Sequence, residues 1–342
     1  MIITTIKIIV LLVGVAGVIC YFRSIARVIL LNSPQPDLIE TVIRRFVLRI
    51  FHRLAKDRAN YEAVQKIQAW VMPIYLISMV ISWFLLVQFS FTFILWGLHA
   101  EPSWDAAFSA SGSALTTLGY FTPVSFMGKF LAVYEAAIGL AIVMLIFTFV
   151  PGYQSAIQLR ERKVGWLYAR TGKNPNVNTL IEALLKSGQI GKDEMWYEWE
   201  NWFRGIHETH SLSPILAYVP SIYEGSNWVK VTKTVLDTTS LILSCLDKEE
   251  TDSLRLSRQT GVDAVMLIAE QMKNVKCNHS QASVSSAPLD AQEFDDLYQK
   301  LALSGLAVAP DKEKAREAFY AYCNEYSGII ARIFDSTLTG KR

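Results

Sequence analysis

The chain has 342 residues, 51% of them hydrophobic and 19% charged, with a formal net charge of +2. That near-neutral balance excludes a protein that holds nucleic acid by bulk positive charge. Four cysteines, at 20, 245, 277 and 323, lack the paired spacing of a zinc site, and a cytoplasmic setting for the later ones argues against disulfides.

Ile2 to Phe22 is the first apolar run, read as a membrane-spanning helix within residues 1–22. Lys7 and the short apolar core also suit a cleaved leader, but no small-residue cleavage site stands near Cys20. Cleavage would also leave the next segment on the wrong face. That segment, residues 23–69, carries Arg23, Arg27, Arg44, Arg45, Arg49, Arg53, Lys56, Arg58 and Lys66. Pro34 and Pro36 interrupt it, and Asp37 can cap a helix in which Leu38, Val42, Phe46, Ile50 and Leu54 recur at helical spacing. Arg45, Arg49 and Arg53 form a second stripe beside them. Two readings of residues 38–58 stand side by side. The helix lies on anionic membrane lipid, where each charge is worth about 1 kcal/mol, or it is solvated and packs on the cytoplasmic part of the chain.

Trp70 to Leu98 contains no Asp, Glu, Lys or Arg and exceeds the length needed to cross a bilayer, so residues 70–98 are expected to span it. Pro102-Ser103-Trp104-Asp105 then offers a helix start with Ser103 as the cap. The helix expected over 103–115 is too short to span and is rich in Ala, Ser and Gly, which suits a re-entrant segment whose carbonyl end aims partial negative charge at a cation. Residues 116–121 follow as Thr-Thr-Leu-Gly-Tyr-Phe, and a further apolar helix is expected over 126–157. Pro151-Gly152 marks where that helix should bend or end. Charge sets the topology: residues 22–69 are basic, whereas Leu98 to Met127 has no Lys or Arg. The positive-inside rule therefore puts residues 23–69 and 158–342 in the cytoplasm of a multi-pass inner (plasma) membrane protein, with the loop before 126 outside.

Thr116-Thr117-Leu118-Gly119-Tyr120 resembles a potassium-channel selectivity filter, and Trp104 to Val150 resembles the pore unit of the bacterial two-transmembrane-type potassium/ion channel family. Thr122-Pro123, Gly128-Lys129, Glu135 and Gly139 follow in that family's order. The resemblance implies a pore domain over 70–157 with outer helix, pore helix, filter and inner helix, a homotetramer around one axis, and potassium or another monovalent cation as the permeant ion, with no bound cofactor. It implies that carbonyl oxygens replace the hydration shell of the ion and that Gly139 serves as a hinge, although on its residues alone Gly139 is equally a close-packing site; Glu135, an ionisable group at membrane depth, is read as a buttress behind the pore helix in preference to a direct ion contact. Phe121 departs from the pattern, since the family continues Gly-Asp there and this chain is two residues shorter. A positive φ at Phe121 would cost about 1–2 kcal/mol, so the outer mouth is expected to be wider, less selective or closed.

Residues 158–342 read as helical, with periodic apolar positions over Val177–Lys186, Glu194–Thr209, Trp228–Leu246, Ser253–Met272 and Ala315–Phe334, and a polar linker over 274–291. There is no GxGxxG after a strand and no nucleotide-sensor pattern. The stretch His210 to Leu243 resembles an uncharacterised helical region found in bacterial ion-channel proteins, which implies no known ligand. His207 and His210 have the spacing to touch one metal but read as a surface pair, so no metal site is expected. Trp196, Trp199, Trp202 and Phe203 read as a buried face. The sequence thus describes an all-α membrane protein and a cation channel, not an enzyme. The alternative is a non-conducting membrane scaffold or signalling protein with a degenerate pore.

Overall fold

The computed structural model describes residues 2–31, 36–55, 61–223, 225–246, 252–272 and 288–337. Pro34, Lys56, Arg58, Cys277 and most of the linker expected over 274–291 lie outside the described residues. Among the described residues every extended element is a helix, and the sole pairing of extended backbone is an antiparallel bridge between Leu246 and Val308. Three segments are long and apolar enough to cross a membrane: Thr4–Ile29, Glu62–Gly97 and Phe126–Arg170. The chain divides into two compact units.

The first unit comprises Met1–Leu48 and Pro73–Gln154. Its helices are α1 (Ile2–Ile25, running into a π turn at Ala26–Leu30), the first half of α2 (Leu38–Ala55), α4 (Val71–Gly97), the short α5 (Trp104–Leu115) and the apolar part of α6 (Phe126–Arg170). Between them in sequence lies α3 (Tyr61–Gln68), which belongs to the second unit. Small residues let α1 meet α4. A Cβ added at Gly14 would lie 2.6 Å from the Ser90 carbonyl oxygen, and one at Gly17 would lie 2.1 Å from the Ser90 hydroxyl. Such close approach supplies the packing and polar contacts that hold helices together where lipid removes the hydrophobic drive. Ser90 and Thr92 turn their hydroxyls back onto the Leu86 and Gln88 carbonyls, so neither is left unsatisfied.

The helix expected to bend or end at Pro151-Gly152, within residues 126–157, does not end there and runs on to Arg170. Proline removes one backbone donor, a loss that long apolar helices tolerate where local adjustment re-satisfies the freed carbonyl. Beyond residue 160 the helix is held by burial of Arg160, Val164 and Leu167.

The second unit comprises Arg49–Met72 and Ser155–Arg342. It contains α7 (Val177–Ser187), α8 (Asp193–Leu212), a 3₁₀ turn at Pro214–Tyr218, α9 (Trp228–Cys245), α10 (Asp252–Met272), α11 (Ala291–Leu303), α12 (Lys312–Asn324) and α13 (Ser327–Ser336). α8 packs along α10, and both α10 and α12 pack on α9. Trp196, Trp199, Trp202 and Phe203 are buried, as their spacing on α8 suggests. α9 is buried on all sides despite its many Thr and Ser residues. The hydroxyls of Thr238, Thr239 and Ser244 bond to the Thr234, Leu236 and Leu241 carbonyls, which removes the cost of burying them. Buried Asp237 accepts from Tyr326 at 2.7 Å and from Lys233 at 2.5 Å.

That contact accounts for a break where the sequence suggested one helix over Ala315–Phe334. The chain turns at Tyr326, between α12 and α13, which carries its phenol into the core against Asp237. α11, which hydrophobic periodicity alone did not reveal, starts at a capping box in which Asp290 and Glu293 satisfy each other's backbone N–H groups.

His210 sits in this unit with its ring 5.5 Å from that of Trp228 and Nδ1 3.0 Å from the Ile206 carbonyl oxygen. Burial, and after it the Arg160 guanidinium, push its pKa down to about 3. The unfolded chain takes up this proton near pH 6.5, whereas the folded one does not until far lower pH. Stability is therefore full above pH 6.5 and falls below it, by about 2 kcal/mol at pH 5. Urea unfolding at pH 7 and pH 5 should show that loss, and His210→Gln should lessen it. Equal losses in both proteins would contradict the assignment.

Candidate functional site

α5 is set at its start by Ser103, whose hydroxyl accepts from the Ala106 N–H at 3.1 Å. Its C-terminal end is more informative. The Leu118 N–H reaches the Ser113 carbonyl at 3.1 Å and the Thr117 N–H reaches the Ala114 carbonyl at 3.0 Å, with Thr117 at φ 57°. This is a Schellman ending with threonine in the position glycine usually takes. The Thr116 hydroxyl bonds back to the Gly112 carbonyl at 2.6 Å, so it closes the helix.

The segment that follows faces Ser113 with its donors. The Gly119 N–H also approaches the Ser113 carbonyl, at 3.3 Å, and the Phe121 N–H donates to the Ser113 hydroxyl at 2.9 Å. No cis peptide bond occurs among the described residues, and in a trans peptide the N–H and C=O point in opposite directions. The carbonyl oxygens of Thr117, Leu118 and Tyr120 therefore point away from Ser113. Thr117 and Gly119 have positive φ, 57° and 68°, while Leu118 and Tyr120 between and after them do not. Alternation of handedness is what gathers successive N–H groups on one side. On the other side the segment is open. Thr116 through Tyr120 are exposed, Leu118 at 72% and Tyr120 at 67%, and a Cβ added at Gly119 would meet nothing within 4 Å.

Phe121 does not carry the strain that a glycine replacement suggested. Positive φ falls at Thr117 and Gly119, and Phe121 is free of it. Its ring packs on a cluster of Leu95, Ala100, Ala107 and Ala110 behind α5, with Trp96 and Leu131. Phe121 is thus an anchor for the segment.

Behind α5, the Ser111 hydroxyl lies 3.0 Å from the Gln88 carbonyl oxygen and 2.5 Å from Glu135 Oε1, joining α4, α5 and α6. Glu135 is fully buried there. Gly139 lies under the end of α5, where an added Cβ would come within 2.0 Å of the Leu115 carbonyl oxygen. Glu101 is also buried, and its Oε1 accepts from the Val124 N–H at 3.2 Å. Ser111, Ser113 and Glu101 were not singled out by the sequence, since a serine or glutamate has no periodic signature; only their spacing from the Thr-Thr pair would have pointed to them.

Among the described residues no group of three or more His, Cys, Asp or Glu side chains is arranged to hold a metal ion. His210, buried with the Arg160 guanidinium acting on it, is a poor ligand for a cation. No family model matches the chain, and neither a curated protein nor a solved structure matches it.

Proposed function

We propose that the protein is one subunit of a homotetrameric cation channel, in which residues 116–121 of four chains surround a central path. The observation that carries this reading is the convergence of the Leu118, Gly119 and Phe121 N–H groups on Ser113. It turns the Thr117, Leu118 and Tyr120 carbonyls toward open space. Rings of backbone oxygens are what a dehydrating cation requires, and one segment per chain supplies a quarter of each ring, hence the fourfold assembly. The exposed Leu118 and Tyr120 side chains are then covered by neighbouring subunits. Glu135 acts through Ser111 as a brace, and Gly139 permits close packing. Phe121, held in the cluster behind α5, leaves the outer mouth without a second glycine. Discrimination between potassium and sodium is accordingly expected to be weak.

The test is flux into liposomes holding the purified protein, comparing potassium, sodium and a large impermeant cation. Potassium and sodium are expected to enter and the large cation to be excluded, with Gly119→Val removing the flux because valine disfavours a φ of 68°. No flux from a confirmed tetramer would favour a membrane scaffold with a degenerate pore.

A further inference from the structure

α2 has three rows of side chains, and only one is packed. Ile43, Val47, Phe51 and Ala55 are buried. Leu38, Val42, Phe46, Ile50 and Leu54 form a second apolar row that is 38–71% exposed. Arg45, Arg49 and Arg53, all exposed, form the third, each three residues on from a member of the apolar row and so beside it along the helix. Among the described residues the ion pair on α2 joins Glu40 to Arg44 and does not involve this arginine row.

The start of α2 is tied to α1 and α4. Asp37 caps the helix by accepting the Glu40 N–H at 3.0 Å, and it also accepts from Ser24, near the end of α1, at 2.9 Å. Ser24 in turn accepts from Trp83 of α4 at 3.1 Å, and Tyr75 at the base of α4 reaches Glu40 at 3.4 Å.

We propose that α2 lies in the interfacial layer and binds anionic phospholipid, its exposed apolar row among the acyl chains and Arg45, Arg49 and Arg53 on the phosphates. A second copy of the chain is the less suitable cover, because the centre of a protein interface is depleted of charge and arginine borders this apolar row from Val42 to Ile50. The inference is independent of ion conduction.

The test places a nitroxide label at Val42→Cys, Phe46→Cys or Ile50→Cys, with Glu313→Cys as an aqueous reference, in the full chain with its native cysteines replaced. The protein is held in nanodiscs of phosphatidylcholine with or without phosphatidylglycerol, and collisions with oxygen and with a polar nickel chelate are compared. With phosphatidylglycerol present, the three α2 labels should show an oxygen-to-chelate ratio several-fold above that at position 313. Replacing Arg45, Arg49 and Arg53 together by Gln should reduce it. Low accessibility to both reagents would mean that protein covers the row, and high accessibility to the chelate would mean that water does; either overturns the proposal. An identical ratio without phosphatidylglycerol would overturn its anionic part. Measuring three separate positions keeps the test valid where one substitution prevents folding.

Discussion

Gly139→Ala is expected to cost about 3 kcal/mol per chain, the upper part of the usual range for overpacking, and to suppress cation flux. The added methyl would sit 2.0 Å from the Leu115 carbonyl oxygen and 3.0 Å from its carbon. The obstacle is backbone, so no rotamer change relieves it, and α5 must move away from α6. Leu115 is the last residue of α5, directly before the segment whose carbonyls turn outward. The displacement thus enters Thr116 to Tyr120 first. Gly152, thirteen residues along the same helix, meets nothing within 4 Å. There alanine should be neutral or stabilise by up to about 1 kcal/mol, through better helix propensity. Thermal unfolding and liposome flux of the two variants provide the comparison. A Gly139→Ala protein as stable as the parent would rule out close packing and return the residue to the role of a hinge.

The distinction between packing and hinge was not open to sequence reading, and the reason is general to this chain. Apolar runs fix where helices of spanning length occur, and Ser103 fixes the start of α5, because both signals are local. What Gly139 touches is decided by α5 crossing α6 at Leu115, a contact between distant parts of the chain. Phe121 is a sharper case. As a replacement for glycine it suggests backbone strain, yet the left-handed conformations fall on Thr117 and Gly119 and the phenylalanine ring fills a site behind α5. The continuation of α6 through Pro151 and the break before α13 have the same origin. Burial of Arg160, Val164 and Leu167 extends one helix, and burial of Tyr326 beside Asp237 divides another.

Arg160→Ala is expected to cost 3–5 kcal/mol, the range for breaking a buried ion pair from one side. The guanidinium is 2% exposed and every edge of it is occupied. It donates to Glu161 at 2.9 Å, to the Leu216 carbonyl at 2.9 Å and to the Val219 carbonyl at 2.9 Å, with its Cζ 5.5 Å from the centre of the Trp228 ring. Glu161 also accepts from Ser221 at 3.0 Å, whose hydroxyl takes the Trp228 N–H and whose carbonyl takes the Gln65 amide. Alanine would therefore leave a buried carboxylate without its counter-charge and the Val219 carbonyl without the guanidinium, while Leu216 would keep only the Val219 N–H. Lysine keeps the charge but cannot reach both carbonyls and Glu161 from one point, so Arg160→Lys should lose much of the same stability. The decisive comparison is Arg160→Met with Glu161→Leu, which removes the charges together and replaces them with apolar volume. If the cost lies in the orphaned carboxylate, urea unfolding will show the double variant to be more stable than Arg160→Ala. Should the double variant be the less stable of the two, the arginine must act chiefly through the Leu216 and Val219 carbonyls, holding the 3₁₀ turn against α6.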